Sequence, residues 1–182
     1  QDGIRDCLRG LVGSEMCIRD RDYPLGDLPA GDNPLLLVVD LLEKPGNLGA
    51  VFRSADGAGA TGIIVSDPSA EISNPNVIRA SLGTVFSVPK AVAPAQDVIR
   101  WLKARRIAII AATPDADTAW SDVDLTLPTA IVLGSEDRGL GDEWLNAADV
   151  RVNIPMRGGA DSLNVSAAAA ILLYEALRQR LL

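Results

Sequence analysis

The sequence contains no histidine. That excludes Ser-His-Asp and Cys-His catalysis, His-ligated metals and the usual general base of neutral pH. Cysteine is nearly absent too: the only two are Cys7 and Cys17. Two thiols are too few for a Cys-rich zinc site, and no metal is expected. The simplest reading is a cytosolic protein without structural disulfides. Aromatic residues make up 4% of the chain, which disfavours a platform for stacking bases. No apolar run reaches the roughly 18 residues a membrane span needs. Neither G-x-G-x-x-G nor G-x-x-x-x-G-K-[ST] occurs, so neither standard phosphate cradle is available. Positive charge is also short. The net charge of −7 argues against a general nucleic-acid coat and leaves room only for a local basic patch.

What remains is ample for one domain. The chain has 182 residues, 48% of them hydrophobic, enough to bury a full core. Its start is unlike the rest. "GLVGSEMCIRDR" (10–21) resembles translated sequencing-adapter sequence. The alternative is a short natural amphipathic segment; residues 1–21 are set aside on the non-native reading, and both cysteines go with them. The segment is too polar for a signal peptide. Residues 22–34, "DYPLGDLPAGDNP", are turn-rich and read as an N-terminal arm.

From residue 35 onward, apolar strands alternate with helical stretches. "LLLVVDL" (35–41) is a continuous apolar run, as in a strand buried on both faces. Five more strands are expected over 62–67, 85–92, 107–113, 130–135 and 150–156. Helices are expected over 48–60, 75–82, 95–106, 142–148 and 162–181. This order predicts an α/β fold, a mostly parallel six-stranded sheet with helices on both faces. Ligands bind such sheets beyond the carboxyl ends of the strands. The loops there are "EKPGN", "TPDAD", "GSEDRGLG" and "PMRGGAD".

Four places could carry chemistry. In "KPGNLGAVFRSADGAGATG" (44–62), Asn47 is a candidate helix N-cap. Leu48, Val51, Phe52 and Ala55 form a buried stripe, while Gly49, Arg53 and Gly57 share another face. Glycine is costly inside a helix, so this face meets either another backbone or a ligand. In "LGSEDRGLG" (133–141), Gly134 and Gly139 allow a tight loop with Glu136 at its rim, or simply a solvated charge cluster. In "NIPMRGGADSLNVS" (153–166), Ser162 is placed to cap the last helix. Asn164 is a poor helix former that could bind a ligand or tie down a loop. The fourth is the basic set Arg53, Arg79, Arg100, Lys103, Arg105, Arg106, Arg138 and Arg157, which could grip phosphates only if it converges.

Together these stretches resemble the SpoU, or TrmH-like, family of RNA 2′-O-ribose methyltransferases in the SPOUT superfamily. The first motif, N-x-G-x-x-x-R, is Asn47, Gly49 and Arg53. The second, after an apolar strand, is Gly134, Glu136 and Gly139. The third is "IPMRGGADSLNVSAAAAILLYE". All three stand in family order across residues 35–182, which the resemblance makes the catalytic domain. Asp137 stands where many members carry glycine.

The resemblance implies a C-terminal trefoil knot, a homodimer and S-adenosylmethionine as cofactor. It implies cofactor contacts from Thr113, Gly134, Ile154, Ser162 and Leu163. Asn47, Arg53, Glu136, Ser162 and Asn164 become the catalytic set, with Arg53 at the acceptor ribose and Asn47 and Glu136 holding Arg53 and the loops. The implied substrate is ribosomal RNA first and transfer RNA second. A non-catalytic RNA- or cofactor-binding module and an enzyme methylating a base nitrogen are the competing readings. Many members carry an RNA-binding domain ahead of the catalytic one. The chain is then either a piece lacking that domain, which the acidic net charge favours, or a minimal enzyme.

Overall fold

The computed structural model describes residues 22–68 and 71–182. The foreign-looking segment 1–21, with Cys7 and Cys17, lies outside them. Seven parallel strands form one sheet: β1 (Leu35–Asp40), β2 (Gly62–Ser66), β3 (Lys90–Ala93), β4 (Ala108–Ala112), β5 (Thr118–Ala119), β6 (Thr129–Leu133) and β7 (Val150–Asn153). Their order across the sheet is β3-β2-β1-β6-β4-β7-β5. Six helices accompany them: α1 (Pro45–Gly57), α2 (Pro75–Ser81), α3 (Thr84–Ser87), α4 (Ala95–Ala104), α5 (Asp142–Ala147) and α6 (Val165–Arg180). Among the described residues no helix is long and apolar enough to cross a membrane.

The apolar run of β1 is explained by two covered faces. Its side chains alternate, as strand geometry requires. Leu35, Leu37 and Val39 join a core with Leu48, Val51 and Phe52 of α1 and Leu172 and Leu173 of α6. Leu36 and Val38 join a second core with Val98 and Leu102 of α4 and Trp144 of α5. The sheet thus separates two apolar layers, and every β1 residue is buried.

Three expectations need correction. The sheet has seven strands, not six, because two residues, Thr118 and Ala119, pair with Val152 and Asn153 of β7. Residues 85–92 are not one strand. Gly83 turns the chain at φ 89°, and Thr84 donates its hydroxyl to Ser81 O at 2.8 Å, starting the short helix α3. The strand begins only at Lys90, after Pro89. The first and last helices also start elsewhere than expected. Helix α1 begins three residues early because Pro45 takes its first turn, where a missing N–H costs nothing. Helix α6 begins three residues late, at Val165.

Two glycines in α1 answer the question left open by their spacing. A Cβ on Gly49 would lie 2.5 Å from Ala80 Cβ and 2.7 Å from Val77 O, so α1 and α2 touch backbone to backbone there. A Cβ on Gly57 would lie 2.9 Å from the Tyr174 hydroxyl of α6. Both glycines serve helix packing rather than a ligand.

The far end of α6 is held to the rest of the chain by hydrogen bonds. Gln179 donates to Val123 O at 3.0 Å and accepts from Leu125 N at 2.7 Å. Arg180 donates to Leu125 O, Leu127 O, Asn33 O and Pro34 O at 2.6–3.2 Å.

Candidate active site

Three loops meet where β4, β6 and β7 end. The loop after β6 doubles back sharply: Gly139 N donates to Ser135 O at 2.9 Å, and Gly139 has φ 66°. A Cβ on Gly134 would lie 2.1 Å from Gly139 O, so no other residue fits under the returning chain. The loop after β4 is tied to β7, with Thr113 N donating to Val152 O at 2.9 Å and Asn153 Nδ2 donating to Ala116 O at 2.5 Å.

Between these loops and the segment ahead of α6 lies a cleft of about 350 Å³. All five expected cofactor residues, Thr113, Gly134, Ile154, Ser162 and Leu163, line it. Sequence reasoning missed others in the wall: the apolar Leu140 and Met156, the acidic Asp115 and Asp161, and Arg138. Their signal was position in the same loops.

Glu136 forms part of this wall and is also the hub of a polar network. Its Oε1 accepts from Asn164 Nδ2 at 2.8 Å and from Asn47 Nδ2. Its Oε2 accepts from Lys44 Nζ. Asn164 Nδ2 also reaches Asn47 Oδ1 at 3.2 Å. The first loop, the second loop and the start of the last helix are therefore joined at one carboxylate, across 117 residues of chain. With its side chain 18% exposed, Glu136 is not the solvated rim charge that its neighbours Asp137 and Arg138 are.

The capping assignments change accordingly. Lys44, not Asn47, is the N-cap of α1, and Asn47 lies within the first turn with its amide turned to Glu136. Asn164, not Ser162, caps α6: its Oδ1 accepts from Ser166 N at 2.9 Å while its Nδ2 serves the hub. Asparagine does both because its amide carries an acceptor and donors on one group. Ser162 is an exposed residue of the cleft wall.

Arg53 stands apart. It is exposed on α1, and its side chain makes no hydrogen bond or ion pair among the described residues. The expectation that Asn47 and Glu136 hold it is not met, since Lys44 is the cation on Glu136. Lys44 was missed because a lysine beside a proline in a loop carries no distinctive pattern. Its pKa is raised by the hydrogen bond to Glu136 and by that carboxylate's charge. The basic set does not converge: Arg138 lines the cleft, whereas Arg100, Lys103, Arg105 and Arg106 lie at and beyond the end of α4, near the amino end of β4. Among the described residues no cluster of three or more His, Cys, Asp or Glu could hold a metal ion.

Comparison with known proteins agrees with this geometry. The SpoU rRNA methylase family model matches residues 34–174. The chain is 38% identical over 169 residues to the 23S rRNA (uridine(2479)-2′-O)-methyltransferase of Streptomyces viridochromogenes, covering 88% of this chain and 59% of that protein. It superposes on the crystal structure of an RNA 2′-O ribose methyltransferase with TM-score 0.80 and 49% identity, covering 85% of this chain and 59% of the other. The SpoU methyltransferase AviRb of Streptomyces viridochromogenes, solved in complex with the cofactor AdoMet, superposes with TM-score 0.82 and 38% identity over 86% of this chain and 62% of that one. The chain thus spans about three-fifths of the length of these relatives. By family model, identity and fold together, it belongs to the SpoU rRNA methylase family.

Proposed function

We propose that the protein is an S-adenosylmethionine-dependent RNA 2′-O-ribose methyltransferase acting on ribosomal RNA. The observation that carries this is the joining of three distant loops at Glu136, on the wall of a cleft. Ribosomal RNA is preferred over transfer RNA because the matching family model is that of rRNA methylases and the Streptomyces viridochromogenes relative is a 23S rRNA 2′-O-methyltransferase. A cytoplasmic location follows from that substrate.

The cleft suits the cofactor chemically. Its wall combines apolar Leu140, Met156 and Leu163 with the carboxylates of Asp115, Glu136 and Asp161 against a single guanidinium, Arg138. A sulfonium is a cation with an apolar body, and both parts find partners here. Thr113, Gly134, Ile154, Ser162 and Leu163 would hold it. When bound, S-adenosylmethionine supplies an electrophilic methyl group.

The chain's own work is alignment. Three donors occupy Glu136, so it acts as a positioning residue that fixes the loops, not as a proton acceptor. Holding reactants in line supplies much of the acceleration for such a displacement. Arg53, exposed and unengaged, serves as the fork that grips an RNA phosphate or the developing 2′-alkoxide. Guanidinium groups donate and do not accept, so the proton leaves to water or to a phosphate oxygen.

The knot and the dimer belong to the same proposal. For the knot, the support is that the chain between β4 and β6 is bonded to β7 at one end and to Gln179 and Arg180 at the other, which places the C-terminal helix against that loop. For the dimer, the support is that α6 leaves Ala167 and Tyr174 exposed on its apolar stretch ahead of the Arg178–Arg180 end. Residues 35–182 form the catalytic domain, with residues 22–34 as its arm.

The test is to incubate the protein with labelled S-adenosylmethionine and ribosomal RNA, digest the product with nucleases and identify the labelled nucleoside. A 2′-O-methylnucleoside is expected. A base-methylated nucleoside, or no transfer despite cofactor binding, refutes the proposal. Arg53→Ala should keep cofactor affinity within about twofold and abolish transfer, and normal turnover would remove Arg53 from the reaction.

A further inference from the structure

The site leaves one strongly charged region unexplained. Arg100, Lys103, Arg105 and Arg106 fall within seven residues of a chain whose net charge is −7. All four are exposed. They lie along and just beyond the end of α4, immediately before β4. The cleft opens beyond the other end of β4, five residues on, which is about 16 Å at the rise of a strand. The basic region is therefore no part of the cleft.

Neither internal pairing nor helix capping accounts for it. Only Arg100 has an acidic partner, Asp97. The side chains of Lys103 and Arg106 make no hydrogen bond or ion pair among the described residues. One cation in the last turn is enough to answer a helix dipole, and here the positive residues continue past the helix end. Arg105 is held in place: its guanidinium lies 4.5 Å from the centre of the Trp101 ring, and its Nη2 donates to Gly26 O at 3.2 Å. Stacking of this kind orients a guanidinium at small entropic cost. The cleft wall, by contrast, carries three carboxylates and one guanidinium. An RNA backbone is a dense polyanion whose affinity comes mainly from phosphate neutralisation. The cleft edge supplies little of that.

We propose that the Arg100–Arg106 end of the molecule is a second RNA contact, a sequence-independent grip on the phosphate backbone of a structured RNA whose target nucleotide enters the cleft. The inference rests on the RNA-methylation reading for its partner, but its test does not depend on turnover. The occupant is RNA backbone because four cations within seven residues, one of them held by a ring and a backbone carbonyl, match the charge of a phosphate polyanion.

The experiment measures binding directly, by fluorescence anisotropy over a salt series, with 23S ribosomal RNA and with a short hairpin carrying the target. The variants are Lys103→Ala/Arg106→Ala and Lys103→Glu/Arg106→Glu, each checked by circular dichroism for native folding. For the long RNA, the slope of log affinity against log salt should shrink by about 1.4–1.8 in the alanine variant, at about 0.7–0.9 per phosphate contact. The glutamate variant should lose at least tenfold in affinity at 0.1 M salt. Short-hairpin affinity and cofactor affinity should stay within twofold. Unchanged long-RNA affinity and slope in folded variants overturns the inference, and so does an equal loss on the hairpin. If long-RNA binding responds while no 2′-O-methylated product forms in the wild type, the grip stands and the activity falls. If methylation proceeds and long-RNA binding is indifferent, the reverse holds.

Discussion

Arg180 offers the sharpest test of how the C-terminal helix is held. Its guanidinium donates to four backbone carbonyls, those of Asn33, Pro34, Leu125 and Leu127. These belong to two segments far apart in the chain, the lead into β1 and the turn before β6. Burial lowers the arginine's pKa, so the carbonyl dipoles alone compensate its desolvation. Arg180→Ala removes all four bonds; the freed carbonyls of Asn33 and Leu127 are exposed and regain water, while those of Pro34 and Leu125 are part-buried. We therefore take about 0.5–1 kcal/mol for each bond, the low end of the net value, or about 2–4 kcal/mol in total. For a domain of this size that is about 5–15 °C in Tm. Arg180→Lys keeps the charge but presents a compact ammonium that cannot span the fork, and should recover less than half. Urea denaturation followed by far-UV circular dichroism measures both variants, with unfolding rates from stopped flow. An alanine variant within 0.5 kcal/mol of the parent, or a lysine variant equal to it, would show that the four bonds do not fasten this helix.

Three further outcomes follow from the site and the core. Asn164→Ser keeps a capping oxygen and loses the hub amide, so stability should stay within about 0.5 kcal/mol while transfer falls tenfold or more; Asn164→Ala should also cost about 1 kcal/mol of stability. Glu175 is buried and bonded by Arg178 and Gln179, which lowers its pKa to about 2. Its stabilisation is complete above the unfolded value of 4.5 and is lost as pH falls toward 2, so Glu175→Gln should flatten the acid limb of a stability–pH curve. Asp40 is buried at the end of β1, and desolvation raises its pKa against the opposing pull of Ser66 and Trp144. The neutral form is the stabilising one, so stability falls as pH rises from 3.8 through the raised folded value. Asp40→Asn should therefore be more stable than the parent at pH 7, and a variant less stable there would contradict this account.

The parallel α/β order was legible because β1, β2 and β6 are covered on both faces and so appear as unbroken apolar runs. Strand β5 was not, since two residues carry no periodicity and pair only because the loop after β4 passes beside β7. The stretch 85–92 misled because Val85, Val88 and Val92 suit a strand locally, while Gly83 and the Thr84 hydroxyl impose a helical turn first. In the site, the family motifs grouped Asn47, Glu136 and Asn164, but the residues alone could not say that they meet, because their meeting depends on the folding of three loops. Capping was misassigned for the same reason. Asn47 and Ser162 are both good caps by type, and the competing pull of Glu136 on Asn47 is a tertiary fact. Lys44 was invisible, as an exposed lysine has the same local pattern whether or not a carboxylate faces it.

The backbone contact at Gly49 has a consequence for substrate choice. A rigid rod pressed against its neighbour at one point cannot roll about its own axis without a collision. Asn47 and Arg53 ride on that rod, on either side of the pinch. Their aim at the cleft is consequently set by a helix contact that lies outside it, and a single added methyl at position 49 would swing both together. On the proposed function, variation in which nucleotide is reached would arise from this seam, well outside the cleft itself.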